Sequence, residues 1–133
     1  MENDIRVPIA SDADIVIARQ QGRSLAEQLG FSSTDQTIIA TAISEVARNI
    51  IKFAKRGEIV LSHIARNPTN GIMVVARDQG PGIRDIHLAI QDGYTTGKGL
   101  GMGLPGCKRL MDEMEIKSVV GKGTQVTMKK WLP

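Results

Sequence analysis

The chain has 133 residues, of which 41% are hydrophobic and only 3% aromatic, and its 17 basic and 14 acidic side chains leave a net charge of +3. That length supports one domain with a substantial core, built from Ile, Val, Leu, Ala and Met because so few aromatic rings cannot fill it. No apolar run reaches the roughly 20 residues of a membrane-crossing helix, the start MENDIRV has no signal-peptide core, no basic stripe carries the stacking aromatics of a nucleic-acid site, and the single cysteine, Cys107, excludes an internal disulfide or a cysteine-rich metal site. A cytoplasmic protein without membrane or nucleic-acid partners is expected.

Ile5, Val7 and Ile9 alternate with polar neighbours as in a half-buried strand, and Pro8 confines that strand to a sheet edge. Ser11 and Asp14 form a cap for a first helix, in which Ile15, Ala18, Leu25 and Leu29 recur at helical spacing until Gly30 stops it. Gly22, in its middle, costs about 1 kcal/mol relative to alanine, which tertiary packing has to offset. Ser33 and Gln36 form an S-x-x-Q capping box for a longer helix with an apolar stripe of Ile39, Ala42, Ile43, Val46, Ile50 and Phe53. Thr41, Glu45, Arg48, Asn49 and Lys52 share the opposite face, Glu45 and Asn49 one turn apart. Taken alone, that face reads as solvated surface with internal ion pairs.

Glu58 to Ala65 and Ile72 to Arg77 are strand-like, and the connection Arg66-Asn67-Pro68-Thr69-Asn70-Gly71 predicts an antiparallel hairpin. Asp85 to Gln91 has a helical period, Asp92 to Lys98 reads as a loop, and Leu104 to Met111 is a further helix holding Cys107 as a buried spectator thiol. Glu115 to Val120 and Thr124 to Trp131 are strands about the turn Gly121-Lys122-Gly123. His63 and His87 have no metal-ligand partner at useful spacing and read as structural. An element order close to βααββαβαβ, without linkers or repeats, makes residues 1–133 a single α+β domain: a two-layer sandwich whose mixed, mostly antiparallel sheet is covered on one face by helices.

Eight of the fourteen glycines lie between Asp78 and Gly106. Asp78-Gln79-Gly80-Pro81-Gly82 leaves a strand, and Gly97-Lys98-Gly99-Leu100-Gly101-Met102-Gly103 enters a helix. Glycine admits positive φ and close approach to a ligand, and amides near a helix start attract phosphate, so an anionic nucleotide is the natural guest. Either segment alone reads equally well as a surface turn.

Together, Glu45-Val46-Ala47-Arg48-Asn49, Asp78-Gln79-Gly80-Pro81-Gly82, Gly99-Leu100-Gly101-Met102-Gly103 and Gly123-Thr124 resemble the N box, the two glycine boxes and the final Gly-Thr motif of GHKL ATPases. The resemblance spans nearly the whole chain. Within that superfamily, GYTTGKGLGMGLPGCKRLMDEMEIKSVVGKGT resembles the small bacterial anti-sigma-factor and switch-protein serine kinases of the stressosome type. It implies a Bergerat fold with MgATP held between the helices and a lid. Asp78 would accept the adenine amino proton, Asn49 would give Mg²⁺ a neutral oxygen, and Gly80, Gly82, Gly99, Gly101 and Gly103 would bring backbone amides to the nucleotide, with Leu100 and Met102 beside them in the lid. Thr124 would reach Asp78 or an ordered water, or remain an ordinary strand threonine. Lys98 would meet the γ-phosphate, and Arg48 would assist there or recognise the protein substrate, unless both are merely solvated. Glu45 would be the general base, one turn from the metal ligand, in a reaction that depends chiefly on positioning and charge neutralisation.

The same resemblance implies an ATP-dependent serine/threonine-protein kinase that phosphorylates STAS-domain antagonist or scaffold proteins and, once released, binds and activates a PP2C-type phosphatase. The anti-sigma relatives offer an alternative, a kinase that sequesters a sigma factor. Two readings of other classes stand beside these: a non-catalytic nucleotide-dependent interaction module, and a free-standing ATPase. A sensor histidine kinase would need a dimerising helical hairpin with its own target histidine, for which the chain has no room, so the acceptor is expected on another molecule.

Overall fold

A computed structural model describes residues 4–82 and 103–133. In chain order the described elements are β1 (Ile5–Ile9), α1 (Asp12–Leu29), α2 (Ser33–Ala54), β2 (Gly57–Arg66), β3 (Thr69–Asp78), α3 (Gly103–Leu110), β4 (Glu113–Val119) and β5 (Gly123–Trp131). The helix expected over Asp85 to Gln91, the loop Asp92 to Lys98 and His87 lie outside the described residues, as do Lys98, Gly99, Leu100, Gly101 and Met102.

The strands form one sheet in the order β1-β2-β3-β5-β4. Every described neighbour pair is antiparallel, so the sheet shows none of the parallel pairing that the expected mixed sheet allowed. Period-two alternation sends Ile59 and Leu61, Ile72, Val74 and Ala76, and Val126 and Met128 into one core under the helices. Pro8 sits on the edge strand, opposite Glu58, where a missing amide donor breaks no ladder between two strands.

The β2–β3 hairpin is tighter than its sequence suggests. Pairing continues to Arg66↔Thr69, so only Asn67 and Pro68 remain as the turn, and Asn70 and Gly71 belong to the ladder. Gly71 has a packing reason to be glycine: a Cβ there would stand 2.8 Å from Cε3 of Trp131 on β5.

The Asp14 carboxylate caps α1 by accepting from the amides of Ala10 at 2.8 Å and Ser11 at 3.1 Å. Gly30, at φ 97°, closes the helix in the left-handed region. Gly22 is buried against α2, where a Cβ would overlap Cδ1 of Ile43, so the propensity lost in mid-helix is exchanged for close approach of the two helices.

The cap of α2 falls one residue earlier than Ser33. The Ser32 hydroxyl accepts from the Asp35 amide at 3.1 Å, while the Gln36 side chain donates to the Phe31 carbonyl at 2.9 Å. Ile39, Ala42, Ile43, Val46 and Ile50 are buried as expected, but Phe53 is 45% exposed, in the last turn. Ser44, Glu45 and Ala47 are buried too, because α2 is covered on two sides, by the sheet with α1 and by α3. The thiol of Cys107 on α3 lies 3.7 Å from the Ala42 carbonyl. Among the described residues no helix is long and apolar enough to cross a membrane.

Candidate active site

Asp78 is the last residue of β3, opposite Gly57 on one side and Thr124 on the other. Its carboxylate accepts from the Gly80 amide at 2.9 Å, folding the chain into a turn as it leaves the sheet. That turn is wedged in place by close contacts with the end of α2 and with the β4–β5 backbone. A Cβ on Gly80 would stand 2.6 Å from Cβ of Ala54 at the end of α2, and one on Gly82 (φ 79°) would stand 2.6 Å from the Val119 carbonyl oxygen. A Cβ on Gly123 would overlap the Asp78 carbonyl oxygen, and the Gly121 amide donates to the Pro81 carbonyl at 2.8 Å. Both described glycines of this turn are therefore required by the protein's own packing, whatever amides they also offer to a ligand.

Thr124 stands opposite Asp78 in the ladder, and its hydroxyl is shared with that of Ser118 at 2.9 Å. Ser118, which belongs to none of the sequence motifs, also donates to the Gly123 carbonyl at 3.1 Å, so it fixes the start of β5 beside Asp78. Only the pairing of β4 with β5 reveals that role.

Glu45 is 8% exposed, so it does not lie on the solvated helix face that its charged neighbours suggest when the glycine segments are left aside. One carboxylate oxygen, Oε1, accepts from Nη1 of Arg48 at 2.8 Å, and the other, Oε2, accepts from the amide of Gly103 at 3.3 Å. Gly103, at φ 60°, is the first residue of α3, and the first amides of a helix have no partner within it. The Glu45 carboxylate supplies one. Asn49 lies one turn further along α2 and is half-buried. Four residues beyond it is Phe53, exposed, with the Lys52 ammonium 5.3 Å from its ring centroid, an aromatic face next to the helix end that touches Gly80. One helix thus meets the start of α3 through Glu45 and the Asp78 turn through Ala54, nine residues or about 13 Å along the axis, with Asn49 between them.

Cys107 is not a nucleophile. Burial first, and the negative charge of Glu45 second, push its thiol up to about 12. A shallow groove of about 580 Å³ opens at the Asp78 end of the sheet. It runs along the solvent face, over the cross-strand row Glu58, Arg77, Gln125 and Lys117, and contains neither Glu45 nor Asn49. Its polar row is internally paired, Arg77 reaching Glu58 at 3.5 Å and Gln125 at 3.1 Å, so it is not the place where the α2 side chains would work.

The family described as "Histidine kinase-like ATPase domain" matches residues 9–130. The chain belongs to this family. The chain of this histidine kinase-like ATPase is 49% identical over 132 residues to the serine/threonine-protein kinase RsbT of Bacillus subtilis (strain 168), covering 99% of both. It is 34% identical over 119 residues to the anti-sigma F factor of Caldanaerobacter subterraneus subsp. tengcongensis, covering 86% of this chain and 83% of that one. Among solved structures it is similar to the mycobacterial sensor histidine kinase MprB, with a TM-score of 0.58 and 16% identity over 96% of this chain and 97% of that one, a likeness of fold alone. The α+β histidine-kinase-like architecture read from the motifs is thus the observed one, and the chain is an ATP-binding domain whose kinship lies with serine/threonine-protein kinases.

Proposed function

We propose that the chain is a single-domain cytoplasmic kinase that transfers the γ-phosphoryl group of ATP to serine or threonine of a STAS-domain antagonist or scaffold protein, and that after release it binds and activates a PP2C-type phosphatase. The observation that carries this reading is the placement of Glu45 and Asn49 one turn apart on the helix that touches both the Asp78 turn and the start of α3, in a chain half-identical to a serine/threonine-protein kinase.

Asp78 is suited to select adenine by accepting from its amino group, since its carboxylate has acceptor capacity beyond the bond from Gly80. Glu45 would take the proton of the acceptor hydroxyl as that oxygen bonds to the γ-phosphorus and ADP departs. With one donor on each oxygen among the described residues, the carboxylate keeps lone pairs for that proton. Among the described residues no group of three or more His, Cys, Asp or Glu could hold a metal unaided. Asn49 would offer Mg²⁺ a neutral oxygen, and the ion would supply neutralisation of the charge developing on the phosphates. Lys98 would meet the γ-phosphate, and Gly99 and Gly101, beside Leu100 and Met102, would bring backbone amides to the nucleotide, whereas the Gly103 amide is turned to Glu45.

The test combines purified chain, MgATP and a STAS-domain partner. Transfer to the partner that disappears in Glu45→Ala supports the reading, and undiminished transfer in that variant removes Glu45 as base. Asp78→Asn should weaken calorimetric ATP binding, because an amide presents a donor where only acceptors fit. Sequestration of a sigma factor is the second reading, favoured by the likeness to anti-sigma F factors. It predicts a stable complex with a sigma factor and none with the phosphatase.

A further inference from the structure

We infer that Arg48 is a positioning residue for this reaction, holding the Glu45 carboxylate in one orientation between α2 and the start of α3; the inference rests on the kinase reading given above. A carboxylate as enclosed as that of Glu45, whose side chain is 11% exposed, is unfavourable unless hydrogen-bond donors surround it. Among the described residues it has two, on different oxygens and from different elements. The Arg48 contact, at 2.8 Å, has the length of a charge-assisted bond, while the Gly103 amide, at 3.3 Å, is longer than the usual N–H···O range.

Two donors on opposite oxygens fix the plane of a carboxylate, whereas one leaves it free to swing about its own bond. Arg48 is three residues along the same helix, so its hold does not depend on where α3 sits. Gly103 belongs to α3, on the far side of the segment 83–102, so its hold does. Arg48 therefore keeps the base oriented while the weaker bond reports the placement of α3. The guanidinium side chain is itself 52% exposed, which makes Arg48 replaceable without opening the core. Because the contact uses one nitrogen, a lysine can restore it in part despite lacking the planar fork.

The experiment compares wild type, Arg48→Ala and Arg48→Lys in two measurements. In phosphate transfer to the STAS-domain partner, Arg48→Ala should lower kcat between about tenfold and about a hundredfold, the range of a misplaced catalytic group. KM for the partner and calorimetric affinity for ATP should stay at wild-type values, and Arg48→Lys should recover part of kcat. In Glu45→Gln, adding Arg48→Ala should cause no further loss. A rise in KM with kcat intact would make Arg48 a partner-binding residue, and weakened ATP binding would make it a phosphate ligand, and either result overturns the inference.

The second measurement follows the Gly103 amide by nuclear magnetic resonance, without substrate. Arg48→Ala should shift that resonance and speed its hydrogen exchange, and Arg48→Lys should leave it near its wild-type position. An unmoved Gly103 amide in Arg48→Ala overturns the positioning role. Absence of transfer in wild type would defeat the kinase reading instead, with the amide still deciding the role of Arg48.

Discussion

Replacing Gly123 by alanine separates two costs that glycine substitutions usually mix. At φ 138° the backbone is in a region that side chains rarely adopt, and the added Cβ would overlap the Asp78 carbonyl oxygen and stand 2.9 Å from Cα of Gln79. Both neighbours are backbone, so no rotamer change relieves them. Gly30 (φ 97°) and Gly121 (φ 81°) share the positive φ but have nothing among the described residues within 4 Å of the added atom. Those two changes should cost only the conformational part, about 1–2 kcal/mol. Gly123→Ala should cost that plus an overpacking term of about 1–3 kcal/mol, so about 2–5 kcal/mol in all. The relief available is separation of β5 from β3 at the Asp78↔Thr124 pair, which also displaces the proposed adenine acceptor. Urea denaturation of the three variants, read by linear extrapolation, and ATP titration calorimetry below each melting transition make the comparison. Equal losses of stability for Gly123→Ala and Gly121→Ala would refute the close approach. A large loss of stability with wild-type ATP affinity would detach the β3–β5 junction from the nucleotide site.

Three further outcomes follow from the packing. Gly22→Ala gains about 1 kcal/mol of helix propensity but meets the buried Cδ1 of Ile43, and overpacking costs about 1–3 kcal/mol; the variant should be less stable than wild type by thermal melting, and adding Ile43→Val, which removes that atom, should restore stability rather than lower it further. Ser32→Ala should cost about 1 kcal/mol through loss of the α2 cap, whereas Ser33→Ala should stay within about 0.5 kcal/mol; reversed magnitudes would return the cap to Ser33. Burial and then the Glu45 charge raise the Cys107 thiol from 9.0 to about 12, so the folded chain holds that proton more tightly than the unfolded one. Stability from this group is complete below about pH 9 and falls towards about pH 12, by about 1.4 kcal/mol per pH unit. Cys107→Ala should lack that component of the slope in denaturation at about pH 8 and about pH 10; identical slopes in both proteins would refute it.

What could be read from the chain was what nearby residues decide. The alternation of Ile5, Val7 and Ile9, the stop at Gly30 and the edge position of Pro8 each follow from a few neighbours, and each stands in the structure. The hairpin turn is shorter than its sequence suggests because Asn70 and Gly71 look like turn residues when seen alone. Gly71 is a ladder residue beneath the ring of Trp131, sixty positions away in the chain. Ser33 looks like the cap because it completes an S-x-x-Q pattern with Gln36, a spacing that ignores the Phe31 carbonyl to which Gln36 in fact turns. Period alone puts Phe53 in the apolar stripe, but the sheet does not bury it in the last turn of α2.

Glu45 shows the same limit at the proposed site, and there it bears on chemistry. Without the glycine segments a charged residue among Thr41, Arg48 and Lys52 reads as surface, since period and composition say nothing of a second covering layer. That layer is α3, whose first residue is fifty-eight positions further on and whose amide points at the carboxylate. Burial matters because a carboxylate free in water would spend most of its time in orientations useless to an acceptor hydroxyl, whereas one fixed at both oxygens offers its remaining lone pairs along few directions. The motif Glu45-Val46-Ala47-Arg48-Asn49 therefore contains both the proposed base and the guanidinium that steadies it, and the three-residue spacing that makes the pair possible is visible in the sequence. Whether such a pair faces solvent or a covered site is settled only when a distant glycine arrives to complete it.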